Sequence, residues 1–231
     1  AAELLALRKQ QLAELDNLIK SIFCDMFGDP ITNEKGWPFE KLIDITTKIG
    51  SGATPKGGKE SYKDKGISLI RSMNVYNGLF SYDQLAYIDE QQAKRLDNVT
   101  IQEKDVLINI TGASVARSCI VPSDVLPARV NQHVSIVRVK EEKVNSVYIN
   151  NVFISSSFQT QLLKVAGAGG ATREAITKQQ LQELIIPLPP LPLQNQFATI
   201  VTKIEEQKAL VKKAIDETQY LFDSLMSEYF D

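Results

Sequence analysis

The stretch IPLPPLPLQNQFATIVTKIEEQKALVKKAIDETQYLFDSLMSEYF (186–230) decides how the rest of the chain is read. Prolines at 187, 189, 190 and 192 lack the N–H that a helix interior or a central strand requires, so 187–196 reads as a proline-rich hinge. Beyond it, Phe197, Val201, Ile204, Lys208, Val211, Ile215, Thr218, Phe222, Leu225 and Tyr229 recur at alternating spacings of four and three, which is a heptad seam. Residues 197–231 are therefore expected to form one long helix, about 50 Å from end to end at 1.5 Å per residue.

The opposite end of the chain repeats the pattern. Leu5, Arg8, Leu12, Leu15, Ile19, Ile22 and Met26 follow the same spacing, with Arg8 as one polar break, until Gly28-Asp29-Pro30 stops the helix. Sliding one segment over the other by 203 residues gives eight identities: Glu3/Glu206, Ala6/Ala209, Leu7/Leu210, Lys9/Lys212, Glu14/Glu217, Leu18/Leu221, Ser21/Ser224 and Phe27/Phe230. Helical sequences share such residues cheaply, but here the heptad phases coincide as well, with Leu12 on Ile215, Ile19 on Phe222 and Ile22 on Leu225. An apolar seam must be covered. The two arms, 1–29 and 197–231, are thus expected to pair as an antiparallel coiled coil, within one chain or between two; two unrelated helices covering one core is the competing reading.

Charge separates the arms from what lies between them. Residues 1–29 hold three basic and five acidic groups and residues 205–231 hold three and seven, while 30–204 hold twenty and sixteen. The net charge of -2 thus conceals acidic ends and a basic middle; the middle suits an anionic partner, and two solvated helix faces beside an ordinary domain is the competing reading. Cys24 and Cys119 have neither disulfide-framework nor metal-ligand spacing and read as reduced packing residues. No run reaches the roughly 18 apolar residues of a membrane span, and the amphipathic N-terminal segment is no secretory leader. A cytoplasmic protein without membrane contact is expected.

Between the arms, β-branched runs alternate with turn signals, giving an α+β fold: a mainly β domain (30–186) with a few helices, flanked by the long N- and C-terminal helices. Strands are expected at Leu42–Ile49, Ile67–Arg71, Asp105–Ile110, Ser118–Val121 and Val134–Val139, with a hairpin turning near Gly112. Helices are expected at Asp89–Leu96, Ser146–Val165 and Thr177–Leu184, the last capped by Thr177.

Several motifs invite a catalytic reading and fail it. GSGATPKGGKE (50–60) lacks the first glycine of a phosphate loop and has Glu60 where the magnesium-binding hydroxyl belongs. GAGGAT (167–172) follows a helix rather than a strand, which excludes a dinucleotide fingerprint. His133, the only histidine, lies beside Gln132 before a strand and reads as structural or surface-lying. Without a metalloprotease, serine-hydrolase or methyltransferase signature, the chain is expected to be no enzyme.

Taken together, Gly52-Ala53-Thr54-Pro55, ISLIRSMNVYNG (67–78), EKDVLINITGAS (103–114), the Asn131-Gln132 pair, the Gly-rich loop with Thr172, and ITKQQLQELIIPLPPLPLQNQ (176–196) leading into the closing helix resemble the specificity subunits of type I restriction-modification enzymes. The resemblance runs over nearly the whole chain. It implies a target-recognition domain reading one half of a bipartite site in double-stranded DNA, and spacer helices that dock modification (methyltransferase) subunits and, through them, a restriction subunit. It implies no cofactor on this chain, with S-adenosylmethionine, ATP and magnesium on the partner subunits. Such subunits carry two recognition domains and 231 residues have room for one, so a half-subunit or one half of a longer subunit is expected, with self-association through the arms as one arrangement.

On that footing, Lys56, Lys59, Lys63 and Arg117 are the candidates for phosphate contact, because they lie in Gly-rich or turn segments that approach a duplex closely. Arg71, Ser72, Asn74, Asn77, Ser114 and Arg173 are the candidates for base readout, arginine matching guanine and asparagine matching adenine. The reading from a different class is a coiled-coil interaction module whose β domain binds a protein or carbohydrate.

Overall fold

The computed structural model describes residues 2–167 and 174–230, with side chains over 3–167 and 174–224. In chain order the helices are α1 (Ala2–Phe27), α2 (Glu90–Lys94), α3 (Ser146–Ile154), α4 (Ser156–Gly167), α5 (Lys178–Gln182) and α6 (Leu191–Phe230). The strands are β1 (Phe39–Lys41), β2 (Thr46–Ser51), β3 (Ile67–Ile70), β4 (Val75–Tyr76), β5 (Leu79–Phe80), β6 (Ala86–Ile88), β7 (Val106–Asn109), β8 (Ser118–Ile120), β9 (Ala128–Val130), β10 (Val134–Val139) and β11 (Ile185–Pro187). Two compact units result, one built from the two terminal helices and the other from Asp29–Gln194.

In the helical unit the arms pair with each other within the chain. Phe197 meets Phe23 and Phe27 edge-on at 5.6 and 5.4 Å, Lys208 binds Asp16 at 2.6 Å, and Arg8 donates to the Ala214 carbonyl and the Thr218 hydroxyl. Contacts that climb α6 while descending α1 define an antiparallel pair. Over the described side chains every seam position of the heptad reading is buried or half-buried, while Leu225 and Tyr229 lie outside them. The three polar seam residues, Arg8, Lys208 and Thr218, are the ones that bond across or along the seam, and such positions fix the register of a coiled coil. Cys24, expected to pack, is exposed, because one further residue, about 100° around the helix, carries it off the buried stripe of Ile19, Phe23 and Phe27.

Helix α6 begins at Leu191, six residues before the sequence places it. Pro192 sits in the first turn, where a missing N–H costs nothing, so the proline-rich stretch divides between β11 and the start of the helix.

In the second unit, β2-β10-β7-β8 form an antiparallel sheet, and β6-β3-β9 form another in which β3 and β9 run parallel. Two-stranded pairs β4-β5 and β1-β11 complete the set. The expected hairpin is β7-β8, with Leu107 opposite Cys119 and Gly112 at φ +78° in its connection. Cys119 is buried there, and burial pushes its thiol up to about 12.

Two expectations change in detail. Leu42–Ile49 divides into a 3-10 turn over Leu42–Ile45 and then β2. Leu42 and Ile45 are both fully buried, and an i,i+3 pair shares a side in a 3-10 turn but falls on opposite faces of a strand. Ser146–Val165 breaks at Ser155, whose hydroxyl bonds the Val152 carbonyl. An unbroken helix would set Phe153 and Phe158 about 140° apart; across the break both are fully buried and stack at 5.9 Å. At Thr177 the expected cap is present, its hydroxyl accepting from the Gln180 N–H.

Candidate functional site

The ends of the two sheets bring five segments together. Gly52, just past β2, donates its N–H to the Asn131 carbonyl at 3.1 Å, and Asn131 donates to the Ile70 carbonyl at the end of β3 at 3.0 Å. A Cβ on Gly52 would lie 1.8 Å from the Val130 oxygen, so only glycine permits this approach. The β7-β8 connection joins in through Ile110 N–H to the His133 carbonyl (2.9 Å), Gly112 N–H to the Glu174 carbonyl (3.0 Å) and Ile176 N–H to the Ile110 carbonyl (2.8 Å). Asn109, fully buried, ties the set from within, donating to the Ser72 carbonyl at 2.9 Å and the Ser114 hydroxyl at 3.1 Å.

Four of these segments enclose an open groove of about 610 Å³. Ser72, Met73 and Tyr76 line it from one segment, Thr111 to Ser114 and Arg117 from a second, Gln132 and His133 from a third, and Glu174 and Ala175 from a fourth. The Arg117 guanidinium stacks over the Tyr76 ring at 4.7 Å, which holds a planar donor fork at the groove wall. Thr54 donates to the Gln132 side-chain oxygen, Gln132 Nε2 lies 3.0 Å from His133 Nε2, and His133 Nδ1 lies 2.5 Å from the Thr111 hydroxyl. A smaller cavity of about 380 Å³, between Lys48, Asn98 and Lys178, contains none of the residues singled out from the sequence.

The candidate residues do not all share this groove. Ser72, Ser114 and Arg117 line it. Lys56 and Lys59 are exposed, Lys59 on a 3-10 turn over Gly58–Ser61, and Lys63 lies 3.5 Å from the Asp89 carboxylate. Asn77 accepts from the Ser118 N–H at 3.2 Å and is exposed. Arg71 turns away to lie over the Tyr62 ring at 5.4 Å and to donate to the Gln84 carbonyl. Asn74 is the correction. It has no exposed surface, its oxygen accepts from the Arg71 N–H, and its amide nitrogen donates to the Ser81 and Asp83 carbonyls. It closes the 71–83 turn and has no edge left for a base. Arg173 and Thr172 lie outside the described residues.

Sequence reasoning did not assign Thr54, Tyr76, Thr111, Gln132 or His133 to the site. A signal existed in Asn131-Gln132-His133, a polar triplet between two β-branched strands. The arrival of Thr54 and Thr111 at that triplet depends on pairings 78 and 22 residues apart in sequence, which no local pattern contains.

Chemically, the groove offers hydroxyls, the Gln132 amide, the His133 imidazole, the Glu174 carboxylate and one guanidinium. Among the described residues there is no group of three or more side chains suited to a metal ion, and no helix long and apolar enough to cross a membrane. Fold and site therefore define a class: a loop-built recognition domain bracketed in the chain by helices that pair. Residues 34–219 match the family model described as the type I restriction modification DNA specificity domain, and the chain belongs to that family.

The type I restriction enzyme MjaX specificity subunit of Methanocaldococcus jannaschii is 20% identical over 197 residues, covering 84% of this chain and 45% of that protein. Among solved structures, the HsdS subunit from Thermoanaerobacter tengcongensis is similar at a TM-score of 0.60, with 19% identity over 99% of this chain and 54% of that one. The type I restriction-modification S subunit from M. genitalium is similar at the same TM-score, with 13% identity over 100% of this chain and 59% of that one. The chain thus spans about half the length of the relatives it matches, and the structural likenesses, at these identities, establish the fold.

Proposed function

We propose that this chain is the DNA-sequence-reading part of a type I specificity subunit, acting in the cytoplasm. In this reading residues 30–186 recognise one half of a bipartite site, 1–29 and 197–231 are spacer helices that set its distance from the other half, and 187–196 connect domain to spacer. The observation that carries the proposal is the convergence of four segments on one groove walled by a stacked arginine, in a chain of the DNA specificity family. Lys56, Lys59 and Lys63 approach phosphates, Ser72, Asn77, Ser114 and Arg173 approach base edges, and Arg117, a phosphate candidate from the sequence, approaches a base edge instead because its stack on Tyr76 holds it at the groove.

The arms supply support for docking. Leu7 and Leu210 are 56% and 69% exposed, and Leu18 and Leu221 are 45% and 60% exposed. These are two of the identities of the 203-residue repeat, so both arms present the same apolar positions outward, away from the seam. Matching outward leucines suit a modification subunit on each arm, with a restriction subunit joined through it. Methyl transfer and cleavage belong to those partners, which also hold S-adenosylmethionine, ATP and magnesium. Association of two copies of this chain is left to the same leucines, since the seam residues are buried against each other.

The test is to combine the chain with a type I modification subunit and map the methylated sites at two salt concentrations. Methylation recurring at one sequence, with affinity falling as salt rises, is the expected result. No sequence-dependent methylation and no salt-dependent DNA binding would overturn it, and leave a coiled-coil module binding protein or carbohydrate.

A further inference from the structure

We propose that Gln132 reads a base edge in the groove, and that Thr54, His133 and Thr111 position its amide for that purpose. The inference rests on the DNA-reading function above and adds a residue to it.

Gln132 stands in the three-residue link between β9 and β10, where the backbone is fixed from several sides. Asn131 bonds both Gly52 and Ile70 through its main chain, and its side-chain oxygen accepts from the His133 N–H at 3.0 Å. A residue on such a base moves little when a ligand arrives. The side chain is nevertheless exposed and lies at the groove.

Its hydrogen bonds form one directed relay. An amide nitrogen only donates, so the His133 Nε2 facing it must accept, which places the ring proton on Nδ1, directed at the Thr111 hydroxyl. Thr54 donates to the amide oxygen at the other end. The chain therefore runs Thr54 to Gln132 to His133 to Thr111, and turning the amide over requires the histidine tautomer and both hydroxyls to reverse with it.

Two of the amide's four valences are used in this way. One N–H and one oxygen lone pair remain on one planar group. That combination matches an acceptor next to a donor, the pattern adenine shows in the major groove through N7 and its amino group. Arg117, stacked on Tyr76, lines the same groove with a donor fork suited to guanine. A side chain already immobilised loses little freedom on binding, which favours a reading role over that of a loose surface glutamine.

The experiment is selection from a randomised duplex library by the chain, alone and with a modification subunit, for wild type, Gln132→Ala, Thr54→Val and Thr54→Ser, with melting temperatures as a control on folding. Gln132→Ala should lose roughly tenfold to a hundredfold preference at one adenine position while preference at the other positions is kept. Thr54→Val should weaken preference at that same position, and Thr54→Ser, which keeps the hydroxyl, should restore it. Equal losses on all sequences for Gln132→Ala would make it a tie between loops and overturn the inference, while DNA reading stands. Loss at a position specifying another base overturns the adenine assignment. A wild-type chain that enriches no sequence overturns the DNA-reading function itself, and this inference with it.

Discussion

The paired arms and the loop groove are held together by opposite means. Along the arms, Leu5 to Phe27 on α1 and Phe197 to Phe222 on α6 repeat one kind of apolar contact turn after turn. The groove has no such repeat. It depends on single atoms, above all the Gly52 α-carbon and the Asn109 amide, each joining segments far apart in sequence. A distributed seam loses stability in proportion to the apolar volume removed and leaves remote chemistry alone. A structure tied at single points loses its shape when one tie is cut, even where the cost in stability is smaller.

The largest expected effect is on the seam. Phe197 is fully buried between the edges of Phe23 and Phe27, and Phe197→Ala should cost about 3–5 kcal/mol of stability. Urea titration measures the loss, and duplex selection should return the wild-type sequence at permissive temperature. A change in the selected sequence would break the contrast, because it would show the seam shaping the groove.

Next is Gly52→Ala. The added carbon would sit 1.8 Å from the Val130 oxygen and 2.9 Å from its carbon, both backbone atoms, so β9 or the 51–54 segment must shift. Such overpacking costs about 1–3 kcal/mol. Unlike Phe197→Ala, this substitution should change the preferred sequence, since it moves Thr54 and Asn131 together. Asn109→Ala should cost about 1–3 kcal/mol, because the Ser72 carbonyl loses a buried donor. Preference should fall at more than one position, because the Ser72 and Ser114 segments are both released.

The same contrast explains what the sequence makes legible. A heptad seam is local information repeated, so its phase, its polar breaks and the partner phase on the other arm are all legible in the sequence, whereas the start of α6 and the exposure of Cys24 are not. The five nominated strands each exist wholly or in part. Two- and three-residue strands such as β4, β6 and β9 have no room to alternate, so their pairing emerges only from tertiary packing. In the groove, Ser72, Ser114 and Arg117 are legible as polar groups in turns, but Asn74 shows the limit. An asparagine in a turn serves its own backbone as readily as a ligand, and here the Ser81 and Asp83 carbonyls claimed it.

The smallest expected effect lies where the arms most resemble the groove, at the one ammonium within the seam. Lys208 Nζ is 2.6 Å from both Asp16 and Glu205. Burial works against the charged form, but the two carboxylates outweigh it and hold the lysine above its ordinary value of 10.5. With the folded value raised, the contribution is fully present below pH 10.5 and is lost as pH rises through the folded value. At neutral pH Lys208→Met should change stability by less than about 1 kcal/mol, since an apolar side chain of similar length replaces a tie whose carboxylates are half in water. Melting curves of wild type and Lys208→Met should therefore run together up to about pH 10 and separate above it, with the wild type falling faster. Curves that stay parallel to pH 11.5 would show that the seam gains nothing from its charge, and that the arms are held by apolar contact alone.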